Sequence, residues 1–415
     1  MTRGTVVDDT GSDATGAPDS SIGPVSESAA GQAAFLARDA VDCLPAGALE
    51  RKLAEGRPLR VKLGLDPTAP DVHLGHTVVL RKLREFQDRG HVVVLIIGDY
   101  TARVGDPSGR SSTRPLLSGE EIDANARTYV EQAAKVLDAD RIELRHNSEW
   151  LDMPMEELFA LTRTTTVAQL LERDDFAKRY AAREPISILE LLYPLLQAYD
   201  SVAVRADVEL GGTDQKFNLL LGRDVQRAYG IPEQVALTMP ILSGLDGERK
   251  MSKSLGNHVG VSEPPAEIYG KTLSLPDAAM AGWYGLLLGE EPPAGLSARD
   301  AKHDLARRLV ERFHSAGDAE AAAEHFDRVF VQHELPAEIE EAGFSATDGA
   351  VHLPALIADA LGRSRSDARR MLSQGAVRLD GAVLGAEDID VAPERLDGAV
   401  LQVGKRQFRR LRRRD

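Results

Sequence analysis

The sequence predicts an α/β protein: a parallel-sheet domain with a helical insertion, then an α-helical domain and a small α+β domain. Three observations point to this class. Val61, Leu63 and Leu65 alternate with other residues, and Val79, Leu83 and Phe86 then fall at helical spacing, so a strand feeds a helix. Val92 to Ile97 is an unbroken apolar run, the pattern of a strand covered on both faces. Far downstream, Asp380-Gly381 separates two short apolar stretches, a strong signal for a two-residue hairpin turn.

Taken in order, residues 1–30 are rich in Gly, Ser, Thr, Asp and Pro and predict a disordered leader. A first folded domain is expected over 31–260. Its opening strand leads to a helix ending at Gly90, a residue suited to a helix C-terminus. The βαβ order implies right-handed crossovers. Helical patterns dominate about 115–200, read as an insertion between two halves of the sheet. A strand near 206–210, a Gly-Gly turn, a helix and a strand near 235–242 complete that sheet. Residues from about 264 to 340 are Ala-rich and helical in pattern with no strand signal, within a helical domain expected over 261–345. From 346, helical stretches at 353–362 and 366–374 precede the hairpin, with Ser366 as the expected helix cap.

Composition narrows the function. The 415 residues suit two or three domains, and 43% hydrophobic content is ordinary for a globular chain. The single cysteine, Cys43, excludes a disulfide framework and a cysteine-rich zinc site, and fits a reducing cytoplasm. No apolar run approaches the length of a membrane span, and the N-terminus lacks a secretory signal. A net charge of −15 argues against binding nucleic acid with the whole surface. Residues 346–415, however, carry 13 Lys and Arg against 10 Asp and Glu, and seven of the ten residues 405–414 are basic. Such a tract marks either a polyanion-binding end or a solvated disordered tail.

Three short motifs carry chemistry. His73-Leu74-Gly75-His76 lies where a helix begins, and helix N-termini offer unpaired N–H groups to phosphate. Alone, it also fits two ordinary loop histidines. Lys250-Met251-Ser252-Lys253-Ser254 places two lysines on a loop that can close over a triphosphate, or that is simply exposed. Gly105-Asp106-Pro107-Ser108-Gly109 follows the second strand, where open α/β sheets bind ligands. Tyr193, Gln197 and Asp200 share one helical face, a pocket wall or a solvated stripe, with Pro194 as a possible kink. Gly211 to Gln215 is a strand-to-helix turn that brings backbone near a ligand or merely changes direction.

In order and spacing these motifs resemble the two ATP signatures of class I aminoacyl-tRNA synthetases, and residues 59–257 resemble the bacterial tyrosyl-tRNA synthetases, with a Rossmann-like fold. The resemblance implies roles residue by residue. His73, Gly75 and His76, with Lys250, Ser252, Lys253 and Ser254, would bind ATP. Of these, His73, His76, Lys250 and Lys253 would stabilise the departing pyrophosphate. Asp66 and Thr68 would lie near ATP and the adenylate. Gly212, Asp214 and Gln215 would receive the ribose and the amino-acid carboxylate. Asp106, Tyr193 and Gln197 would hold the α-ammonium of tyrosine, and Asp200 would accept from its phenol. Lys62 stands where many members place a tyrosine, and Glu209 where many place glutamine. Both belong to the expected tyrosine contacts and mark a subgroup.

Residues 346–415 resemble an S4-like RNA-binding domain, with Arg363, Arg365, Arg369 and Arg370 as the expected RNA contacts, and 261–345 would be the anticodon-binding helices. The implied partners are L-tyrosine, ATP with Mg²⁺, tRNA(Tyr) and a second copy of the chain, in the cytoplasm. Neither DNA nor membrane is expected, nor a tightly bound cofactor or a protein metal site. Three rivals differ. Tryptophanyl-tRNA synthetase shares the motifs, but Gln197, Asp200 and the S4-like end argue against it. A non-catalytic RNA-binding descendant would have lost the histidines or lysines. A duplicate copy stays open through Lys62 and Glu209.

Overall fold

A computed structural model of the chain describes residues 28–67, 71–107, 118–331, 339–345, 350–404 and 407–414. The expected ATP contact Thr68, Ser108 and Gly109 of the glycine-rich loop, and nearly all of the expected leader lie outside the described residues. The chain divides into two compact units. One carries residues up to 66, 82–118 and 138–240; the other carries 67–81, 119–137 and everything from 241.

The first unit is built on six strands: β1 (Asp42–Leu44), β2 (Arg60–Leu65), β3 (Val92–Ile97), β4 (Ile142–His146), β5 (Val208–Gly212) and β6 (Val235–Met239). Their order is β1-β6-β5-β2-β3-β4. All neighbouring pairs are parallel except β1 with β6. Five of the six residues of β3 and all five of β6 are buried, as continuous apolar runs require. Two departures from expectation have clear causes. β1 is an antiparallel edge strand of three residues, too short to show alternation. The 115–200 segment is not a purely helical insertion, because β4 inside it joins the main sheet beside β3. Its sequence, Ile-Glu-Leu-Arg-His, is edge-like and polar, so it lacks the signature of a buried strand.

The helix Ile188–Ala203 lies over this sheet and carries much of the candidate site. It starts at a capping box: the Ser187 hydroxyl accepts from the Glu190 N–H at 3.1 Å, and the Glu190 carboxylate accepts from the Ser187 N–H at 2.8 Å. Leu195, Leu196, Ala198 and Val202 pack into one apolar cluster with Leu151, Leu161, Leu221 and Val225. Pro194 sits inside the helix, which continues through it.

In the second unit, helices Pro265–Leu273, Ala298–Phe313 and Ala316–Phe326 confirm the helical pattern of the middle region. The C-terminal part contains β7 (Glu341–Phe344), β8 (Val351–His352), β9 (Val377–Leu379), β10 (Ala382–Leu384), β11 (Asp390–Val391), β12 (Val400–Val403) and β13 (Gln407–Arg413). Five of these form a sheet in the order β10-β9-β12-β13-β7. Asp380 and Gly381, with φ of 47° and 84°, make the left-handed two-residue turn that the sequence announces. The helix Arg365–Ser373 is capped by Ser364, not Ser366: the Ser364 hydroxyl accepts from the Asp367 N–H at 3.1 Å. The basic end is an ordered strand. β13 pairs with β12 and β7, buries Leu411, and ties Arg409 to Glu340 at 2.8 Å and Arg412 to Glu341 at 3.1 Å. Among the described residues no helix is long and apolar enough to cross a membrane.

Candidate active site

The sheet unit gathers the residues expected to recognise tyrosine. Asp66 follows β2, and its carboxylate accepts from the Tyr193 hydroxyl at 2.8 Å and from the Thr101 hydroxyl at 2.7 Å. Burial, helped by the nearby carboxylates Asp106 and Asp200, pushes the Asp66 carboxyl up to about 7 against those two hydrogen bonds. Burial likewise raises the Tyr193 phenol well above its ordinary range. Asp200, two turns beyond Tyr193, is almost fully buried and accepts from the Trp150 indole N–H at 2.8 Å. Burial raises its carboxyl to about 6, opposed by the Lys62 ammonium and the Trp150 hydrogen bond. A carboxylate so placed is a strong acceptor for a neutral hydroxyl.

A chain of amides links the remaining residues. Gln215 donates to Asp106 at 2.9 Å; Asn218 donates to Gln215 at 2.9 Å and to Gln197 at 2.8 Å; Gln197 donates to Glu209 at 3.1 Å. Gly212 and Asp214 stand at the end of β5 and on the short turn that opens the helix Lys216–Ala228. Lys62 and Glu209 are fully buried partners on adjacent strands, 2.9 Å apart.

The second unit holds both ATP motifs, and backbone bonds join segments that are far apart in sequence. Leu74 N–H donates to Val259 at 2.9 Å, and Val261 N–H donates to Val72 at 3.0 Å, so His73 bridges Gly260. The histidine rings lie 3.9 Å apart. His76 Nδ1 accepts from the His73 N–H, and His73 Nδ1 accepts from the Gly75 N–H, each at 3.2 Å. A side chain at Gly75 would press on the His73 ring at 3.0 Å, so the ring would have to shift to admit it. Burial, with the charges of Lys250 and Lys253, pushes the His76 imidazole down to about 4 and lowers His73 further.

In the lysine loop, Met251 is buried while Lys250 is exposed. Lys253 pairs with Asp71 at 2.7 Å. Asn257 fixes the loop, accepting from the Ser252 N–H at 2.8 Å and donating to the Lys250 carbonyl at 3.2 Å. The backbone of Ser254 belongs to the short turn Lys253–Leu255. In the C-terminal part, Arg363, Arg365, Arg369 and Arg370 are all exposed, with Arg363 donating to Gln407 and Arg370 to Asp367.

Comparison with known proteins identifies the family. Residues 54–331 match the model of the class I tRNA synthetases for tryptophan and tyrosine (W and Y). The chain belongs to that family. It is 53% identical over 376 residues to the tyrosine–tRNA ligase of Moorella thermoacetica, covering 88% of this chain and 90% of that one. With the tyrosine–tRNA ligase of Thermotoga maritima it shares 49% over 392 residues, 92% and 97% of the two chains. Among solved structures, a truncated mitochondrial tyrosyl-tRNA synthetase of Aspergillus nidulans superposes with a TM-score of 0.61 over 73% of this chain and 94% of that one, at 23% identity, which shows the shared fold.

Several residues of this synthetase's site have no sequence signal. Trp150, Ser201, Asn218 and Gln234 reach it only through tertiary packing. Arg173 is another: almost fully buried, it lies 3.4 Å from Asp106 and 2.8 Å from Asp175. Gly98 is required because a Cβ there would overlap the Asp66 carboxylate and the Thr101 hydroxyl.

Proposed function

We propose that this synthetase activates L-tyrosine with ATP and then passes the tyrosyl group to the 3′-terminal ribose of tRNA(Tyr). Its activity is that of a tyrosine–tRNA ligase, as in relatives 49–53% identical along about nine tenths of the chain. One observation carries the amino-acid assignment: a buried carboxylate, Asp200, held by Trp150 on the same helix as Tyr193 and Gln197. A buried carboxylate already fixed by Trp150 offers its remaining acceptor capacity to a phenol, and phenylalanine, lacking the hydroxyl, forgoes that charge-assisted hydrogen bond.

In the reaction, the tyrosine carboxylate attacks the α-phosphorus of ATP, and pyrophosphate leaves with the electrons of the broken P–O bond. No protein nucleophile is needed; positioning and charge stabilisation do the work. Asp106, Tyr193 and Gln197 orient the α-ammonium, and Asp66 holds Tyr193 in place. Gly212 and Asp214 receive the ribose, and Gln215 the amino-acid carboxylate. An Nδ1 that accepts a backbone N–H carries no proton, so each neutral imidazole of His73 and His76 bears its hydrogen on Nε2. That hydrogen is the donor for a phosphate oxygen. Lys250 and Lys253 add positive charge on the loop that Asn257 fixes, with Ser252 and Ser254 beside them. Mg²⁺ bound with ATP would supply further positive charge at the phosphates, alongside Lys250 and Lys253.

In the 261–345 region the helices Pro265–Leu273, Ala298–Phe313 and Ala316–Phe326 serve as the anticodon-binding helices, and 346–415, whose sheet also takes in β7, as the S4-like RNA-binding domain, with Arg363, Arg365, Arg369 and Arg370 on phosphates. The enzyme works in the cytoplasm as a homodimer. Met155, Phe159, Val167, Tyr180 and Ile188 of the 115–200 segment are each more than half exposed, an apolar set that a second copy would cover. The test is tRNA charging with labelled tyrosine. Replacing Arg369 and Arg370 by Ala is expected to lower charging about tenfold while tyrosine-dependent ATP–pyrophosphate exchange stays within about twofold. Equal losses in both assays would remove these arginines from RNA binding.

A further inference from the structure

Lys62 and Glu209 occupy positions at which the family resemblance expects contacts to the substrate phenol, yet neither is placed to make one. Lys62 is fully buried and Glu209 nearly so. An ammonium has three N–H donors. Those of Lys62 go to the Gln197 carbonyl at 3.0 Å, the Ser201 hydroxyl at 2.8 Å and Glu209 Oε1 at 2.9 Å. Glu209 is equally engaged. Its Oε1 also accepts from Gln197 Nε2 at 3.1 Å, and its Oε2 accepts from the Ser201 hydroxyl at 3.0 Å and from Gln234.

The consequence falls on Gln197. An amide has a donor end and an acceptor end, and a half-turn about its last bond exchanges them. Here Nε2 faces the Glu209 carboxylate and Oε1 accepts from Asn218 at 2.8 Å. A flipped amide would set oxygen against carboxylate and NH₂ against NH₂, losing two hydrogen bonds and gaining two repulsions. Lys62 in turn donates to the Glu209 carboxylate and holds the Gln197 backbone through its carbonyl. An ammonium substrate can use only the oxygen end.

We propose that the buried Lys62–Glu209 pair is a positioning element for amino-acid recognition that touches no substrate and locks the Gln197 amide with its oxygen available to the α-ammonium. This rests on the tyrosine reading above and deepens it, assigning to the α-amino end of the substrate two residues expected at the phenol end. On Asp200, one helical turn from Gln197, the two partners act in opposite directions: Lys62 favours its ionised form and Glu209 opposes it.

The test separates the two ends of the ligand. Removing one charged partner strands the other, whereas removing both leaves a neutral core that packs. The double variant Lys62→Met/Glu209→Gln therefore keeps the site but frees the Gln197 amide to turn. KM for tyrosine in ATP–pyrophosphate exchange is expected to rise about tenfold, the loss of one charge-assisted contact. Inhibition by 3-(4-hydroxyphenyl)propionate, which has the phenol and carboxylate but no amine, is expected to stay unchanged. Equal weakening of both ligands, or of neither, in a folded protein would overturn the proposal. Should the double variant not fold, Ser201→Ala removes the hydroxyl shared by both partners, and the same amine-dependent loss is expected at about threefold. Failure of the wild-type protein to use tyrosine at all would instead overturn the ligase reading beneath it.

Discussion

In the sheet unit two carboxyls of the candidate site are pushed upward, Asp66 to about 7 and Asp200 to about 6. In the other unit two imidazoles are pushed downward, His76 to about 4. Burial is the first cause in both, and it always disfavours the charged form. What differs is the company. Asp66 has two other carboxylates nearby, whereas His73 and His76 have lysines. On the proposed reading, one unit suits a cationic or hydroxylic ligand and the other an anion, two binding chemistries of opposite sign in one chain.

The sharpest way to break this contrast is to remove the cations. Replacing Lys250 and Lys253 by Ala is expected to slow adenylate formation by about 10²–10³, the range for losing transition-state charge stabilisation. Single-turnover kinetics should show tyrosine binding nearly intact. A tyrosine affinity that fell as far as the rate would merge the two chemistries.

Next in size is Asp200→Ala, which leaves the Trp150 N–H and the substrate phenol without their acceptor. Preference for tyrosine over phenylalanine in exchange assays should fall by about tenfold to a hundredfold. Unchanged selectivity would take phenol recognition away from Asp200.

How much of this was open to the sequence depends on what kind of signal each residue leaves. His73, His76, Lys250 and Lys253 sit in contiguous motifs, so spacing alone exposes them. Tyr193, Gln197 and Asp200 are legible because a helix repeats its face every three to four residues. Trp150 and Arg173 have no such regularity; nothing local distinguishes an indole that meets a buried carboxylate from one in an ordinary core. Lys62 and Glu209 show the opposite limit. Their positions point to the site, but only the structure shows that every donor of Lys62 is engaged by the protein. The strands β1 and β4 leave no pattern because edge strands are short or polar, and nothing local separates Ser364 from Ser366, two residues on, as a helix cap.

The smallest expected effect is on pH dependence. Asp66 and Asp200 keep protons in the folded state at pH values where the unfolded chain has released them, so between about 4 and 7 unfolding releases protons and stability falls as pH rises. Binding runs the other way, since a substrate ammonium prefers ionised carboxyls. KM for tyrosine should fall severalfold from pH 6 to 8, and Asp66→Asn should flatten that slope. KM for ATP should show no histidine titration in this range, because His76 is already neutral above about 4. A tyrosine KM independent of pH over that range would contradict the raised carboxyls.

The central claim, a tyrosine-specific ligase, is tested most directly by amino-acid-dependent ATP–pyrophosphate exchange with tyrosine, tryptophan and phenylalanine on the purified protein. Exchange with tyrosine alone is the predicted result. Exchange driven by tryptophan, or by none of the three in a folded protein that still bound RNA, would contradict it.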